Sequence, residues 1–224
     1  VSDTFQRYAR VHRLGWSTVG LLLCAALIAV SRGQELVLPS ASAAGWTPMA
    51  VVTLTSLPAA ILAIGSRHSP MSTLEGTATS VLARAEAAHA AGAVTLACGS
   101  VAVGALSVGS PPDAAAGARD VILFSGLALI SDRLFRRSLP WVVPLAGFVL
   151  LQWWGVDDEL HRRWWAWPLH RFDDTASWFA ALAILGLGLT VAAMSPWRLA
   201  LLRRRSLRGS SSCQALDGNI NKRC

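Results

Sequence analysis

Residues 117–131 read GARDVILFSGLALIS, and whether this stretch crosses a membrane decides the fold. Its uncharged part, Val121–Ser131, is short for a span, because a bilayer core takes about 20 apolar residues. Charges flank it on both sides, Arg119 and Asp120 before it and Asp132 and Arg133 after it. Without it as a span, however, the connections that follow would fall on the wrong sides of the membrane. Outward from this stretch the pattern is plainer. Trp16–Ser31, Trp46–Gly65, Ala91–Ser110, Leu139–Gly155 and Ala176–Met194 are apolar runs separated by polar or turn residues. Together with Gly117–Ser131 they predict six transmembrane helices.

Composition agrees. Of 224 residues, 53% are apolar and 15% charged, against about 25% charge in soluble domains, and mean hydropathy is +0.45. These values exclude a soluble globular domain, and also a disordered chain, which would be poor in apolar residues. The expected fold is all-α, a polytopic membrane bundle in the cell membrane. A net charge of +7 and a pI near 10.5 do not point to nucleic acid, because the basic residues lie between apolar runs, where they orient the chain. Alternating the connections puts fifteen Arg and Lys on the side of both termini and five on the other, with five and eight acids respectively. Both termini are therefore expected in the cytoplasm. Trp16, Trp46, Trp141, Trp153, Trp154, Trp178 and Trp197 fall near span ends, as interfacial rings prefer. The organisation expected is an amphipathic segment over 1–15, six spans over 16–195 and a basic cytoplasmic tail over 196–224. The first span has signal-peptide features but no cleavage site close enough, so it is expected to be retained.

Catalytic readings find little support. The one Lys is Lys222, so no Walker A loop exists here and any ATP would be bound by another chain. Thr95, Ser100, Cys24 and Cys98 lie within apolar runs, with no mid-span His or acid to activate them. All five His lie outside the span centres, which disfavours haem held by paired intramembrane His. The chain is expected to be no enzyme and to need no cofactor. The cysteines form no disulfide framework: two sit in apolar runs and Cys213 and Cys224 in the tail.

Three segments are candidates for function. In the cytoplasmic loop 66–90, Ser72-Thr73-Leu74-Glu75 is a capping box. Leu74, Ala78, Val81, Leu82 and Ala85 follow at helical spacing, a pattern for docking a cytoplasmic partner or for lying on the bilayer. The outer loop 152–175 packs five Trp, five acids, three Arg and two His into 24 residues. It reads as a structured cap or gate formed by Trp153, Trp154, Asp157, Asp158, Trp164, Trp165 and Trp167, or as a solvated interfacial loop. Its acids and His are metal-ligand types, but their spacing matches no metal motif. Third, Arg119 and Asp120 either line a polar path or snorkel to the headgroups.

The layout resembles the membrane subunit of an ABC-2-type exporter, with about six spans, cytoplasmic ends and an amphipathic start. Such permeases carry a coupling helix after the second span, often reading "GTLE-x-L-L" and followed by an Arg. The matching stretch here is Ser72-Thr73-Leu74-Glu75, then Val81-Leu82-Ala83-Arg84, with GTATS where a leucine run is usual. They also carry an aromatic re-entrant element before the sixth span. The resemblance implies that Ser72, Leu74, Glu75, Leu82 and Arg84 contact a cytoplasmic P-loop ATPase. It further implies pairing with itself or a similar permease subunit, in the lipid bilayer. The other readings left by the residues are a non-catalytic membrane scaffold or immunity-type subunit of another complex, and a membrane enzyme or stand-alone secondary transporter.

Overall fold

The computed structural model describes residues 14–41, 45–66, 80–135, 139–157, 159 and 161–193. Among the described residues six α-helices form the body: α1 Leu14–Ser31, α2 Val51–Gly65, α3 Ser80–Ser107, α4 Pro111–Leu134, α5 Val142–Trp154 and α6 Thr175–Ala193. Three are long and apolar enough to cross a membrane, within Ala88–Ser107, Pro111–Leu134 and Thr175–Ala192. The amphipathic segment expected over 1–15, apart from its last two residues, and the tail expected over 196–224 lie outside the described residues.

The fold is mostly helical, as expected, and the all-α expectation needs correcting only for one small hairpin. β1 (Glu35–Pro39) and β2 (Trp46–Ala50) pair antiparallel, Leu36 opposite Met49 and Val37 opposite Pro48. β2 occupies the first five residues of the run read as the second span, so α2 begins only at Val51. Pro48 accounts for this, since a proline pushes the residue before it into extended conformation and is tolerated in a strand that is an edge. Two other boundaries move as well. α3 starts at Ser80, eleven residues before the expected span, through an Ala-rich stretch of good helix formers. α4 starts at Pro111, with prolines in its first turn, where their missing N–H leaves no bond unmade. Ser110 donates to Asp113 Oδ2 at 2.6 Å, and that acid suits the positive end of the helix.

α2 and α4 form the centre, because each contributes to both apolar clusters. On one side Val52, Ala59 and Ala63 of α2 and Val121 of α4 meet Leu21, Cys24 and Ile28 of α1 and Ala97, Val101 and Ala105 of α3. On the other, Leu57 and Ala60 of α2 and Leu123 and Phe124 of α4 meet Met49, Phe148, Leu151, Ala166 and Ala181. Close crossings use glycine. A methyl group on Gly126 of α4 would stand 2.7 Å from the Ile184 carbonyl of α6, and one on Gly188 would stand 2.6 Å from the Gly126 oxygen. Gly104 likewise faces the Ala25 carbonyl of α1, whereas Gly99 and Gly186 have open space.

Helix ends gather at two faces. At one, the Ser66 hydroxyl meets His89 Nε2 at 3.2 Å, joining the end of α2 to α3. There too Ser131 of α4 donates to the Leu139 carbonyl at 2.7 Å, leading into α5. At the opposite face Gln152 of α5 donates to the Pro39 carbonyl of β1 at 3.2 Å, and the loop between α5 and α6 closes over the start of α4.

Candidate functional site

The fourth helix carries the site. Neighbouring residues on a helix normally diverge, yet Arg119 turns back on Asp120, with Nε and Nη2 at 3.2 and 3.1 Å from Oδ1. Asp120 Oδ2 accepts from the Thr53 hydroxyl of α2 at 2.9 Å. Nη1 of Arg119 donates to Ser177 Oγ of α6 at 2.9 Å and to the carbonyls of Arg171 and His170 at 3.0 and 3.2 Å. Nη2 also donates to the Pro168 carbonyl at 3.0 Å. All five guanidinium hydrogens thus have acceptors, and the two side chains are 1% and 0% exposed. Neither alternative read from the sequence describes this. Both side chains are enclosed by protein, so neither extends outward and neither lines an open path. A buried pair is tolerated where hydrogen bonds replace lost water, and here they tie α2, α6 and the loop to α4.

The loop is itself ordered by local bonds. Asp157 Oδ1 accepts from the backbone N–H groups of Glu159 and His161 at 3.1 and 2.7 Å, and Val156 bridges Arg162. A short 3₁₀ helix, Trp167–Leu169, follows. His170 Nδ1 lies 2.9 Å from Asp174 Oδ2 and its Nε2 3.1 Å from the Arg163 carbonyl. The hydrogen bond from His170 holds the Asp174 carboxyl below the ordinary carboxylate range.

Beside the ion pair lies a cavity of about 350 Å³, lined by residues that include Glu35, Thr47, Thr53, Asp113, Arg162 and Arg171. Thr53 and the stretch 168–171 belong both to its wall and to the Arg119 network. Among the described residues no group of three or more His, Cys, Asp or Glu is placed to hold a metal ion.

The residues singled out from the sequence are dispersed. Trp153 and Trp154 touch each other, ring centroids 6.2 Å apart, on an exposed end of α5. Trp165 and Trp167 pack against the second apolar cluster, while Trp164 is 79% exposed. Asp157 shapes the turn, and Asp158 lies outside the described residues. The loop that carries them is held by Arg119. Ser72, Leu74 and Glu75 lie outside the described residues, and Leu82 and Arg84 fall in the first turns of α3. Sequence reasoning missed Thr53, Ser177, Glu35 and Thr47. A hydroxyl in an apolar helix was the available signal for the first two, but it does not name its partner.

No protein-family model, curated protein or solved structure matches this chain.

Proposed function

We propose that the chain is a multi-pass subunit of the cell membrane with six crossings and both termini cytoplasmic, and that it serves as the permease subunit of an ABC-type exporter. The observation that carries this reading is the continuity of α3. It runs unbroken from Ser80, through Leu82 and Arg84, into the apolar stretch Ala88–Ser107. A push at Arg84 by an ATPase would therefore move the span as a rigid lever, the kind of element through which a domain motion switches access. ATP hydrolysis belongs to the partner.

The test is purification of the tagged full-length chain from its native membrane in mild detergent, with mass spectrometry of what co-purifies. A stoichiometric P-loop ATPase is the expected partner, and Glu75→Ala with Arg84→Ala should then uncouple transport from ATP hydrolysis. A stoichiometric partner of another kind would replace this reading with the scaffold or immunity-type subunit. That second reading is favoured by Arg119, whose donors are all spent on holding the fold. Absence of any partner would overturn both.

A further inference from the structure

The cavity beside the ion pair carries charge of both signs. Glu35 of β1 and Asp113 of α4 bring carboxylates, and Arg162 and Arg171 of the loop bring guanidinium groups. Two of the four are engaged, Asp113 by the Ser110 hydroxyl at 2.6 Å and Arg171 by Asp173 at 3.4 Å. Glu35 and Arg162 have no side-chain hydrogen bond or ion pair among the described residues, with each other or with anything else. Thr47 gives an independent sign. It lines the same cavity, is 5% exposed, and its hydroxyl has no hydrogen-bond partner. A buried hydroxyl left unpaired costs stability, and a ligand that bonds it removes that cost.

We propose that this cavity binds a small zwitterion, an ammonium and a carboxylate or phosphate on a short linker. The ammonium sits at Glu35, the anionic group at Arg162, and the Thr47 hydroxyl bonds the ligand between them. A lone anion would face Glu35 and Asp113, and a lone cation would face both arginines, so complementarity requires both charges in one molecule. A guanidinium suits the anionic end because its fork matches carboxylate and phosphate oxygens. The volume lies at the low end of the range for ligand pockets, about 300–1,000 Å³, which selects a headgroup-sized molecule. Arg119 acts only as a positioning residue, by fixing the stretch 168–171 that forms part of the wall. The site is independent of which partner the chain has.

The same chemistry arises from a free zwitterion or from an aminophospholipid headgroup. The experiment is calorimetric titration of the full-length chain in phosphatidylglycerol nanodiscs, using glycylglycine and O-phosphoethanolamine, with ethanolamine and inorganic phosphate as single-charge probes. At least one zwitterion should bind saturably and at least about tenfold more tightly than either single-charge probe. Glu35→Gln and Arg162→Gln change exposed side chains, and each should weaken that binding about tenfold or more while leaving thermal unfolding unchanged. Nanodiscs containing phosphatidylethanolamine should compete with O-phosphoethanolamine if the headgroup is the natural source, and should leave binding unchanged if the ligand is free. No saturation by either zwitterion in a cooperatively folded sample would overturn the proposal. So would single-charge probes that bind as well, or full binding in both variants.

Discussion

α4 and α6 reverse the ranking that their sequences suggest. α6 is an unbroken apolar run, while α4 carries Arg119, Asp120, Asp132 and Arg133 around a short apolar core. Yet 67% of the apolar window of α4 is buried within the protein, against 17% for α6. The physical reason is what each helix faces. A helix turned toward lipid must be apolar around most of its surface, because lipid offers no hydrogen bonds. A helix surrounded by protein can carry arginine, aspartate and serine wherever its neighbours supply acceptors and donors. Here Thr53, Ser177 and three loop carbonyls do so for α4. Apolarity along the chain therefore reports how much of a helix the rest of the protein leaves uncovered, and the weakest apolar signal of the three long helices marks the most enclosed one.

Substitutions sharpen this contrast. The largest effect is expected from Arg119→Leu, which strands the Asp120 carboxylate and three carbonyls inside the bundle. It should cost about 3–5 kcal/mol in equilibrium unfolding from mild detergent, and the double variant with Asp120→Leu should cost less than the single one. Next, Leu129→Ala on α4, at a fully buried position, should cost about 2–5 kcal/mol. Gly126→Ala places its methyl against the backbone of α6 and should cost about 1–3 kcal/mol by overpacking. Gly186→Ala on α6 meets nothing within 4 Å, and Leu187→Ala is exposed, so each should stay within about 0.5 kcal/mol. Equal losses on α4 and α6 would break the comparison.

The smallest effect concerns pH at the entrance to α6. Because the folded Asp174 carboxyl sits below the ordinary range, its contribution is fully present above about pH 4, the usual carboxylate value. It is lost as pH falls through the depressed folded value. Trp178 reports on this segment, since its indole N–H donates to the Phe172 carbonyl at 2.9 Å. Its fluorescence should hold steady through mild acid and change only in strong acid, and Asp174→Asn should remove that step.

The six helices are legible as apolar runs, and α1, α5 and α6 end close to where those runs end. The hairpin is not legible, because Trp46–Ala50 joins an apolar run without a break and only pairing with Glu35–Pro39 makes it a strand. At the site, Arg119 and Asp120 stand out as charges beside an apolar stretch. Their closure does not, because most of the partners of Arg119 are backbone carbonyls at Pro168, His170 and Arg171, and a carbonyl has no identity in a sequence. The cavity is hidden for a related reason. Glu35, Thr47 and Arg162 come from separate segments, and each alone resembles an ordinary surface or strand residue.

The lateness of α2 has a consequence for what can surround it. It is fifteen residues long, about 22 Å at about 1.5 Å per residue, whereas the hydrocarbon layer of a bilayer is about 30 Å thick. Ten of its residues are buried, so protein and not lipid surrounds this short central element, and the cavity lies at its first turn. The first backbone N–H of the helix is met within the protein, Val51 donating to the Gln34 carbonyl at 3.3 Å.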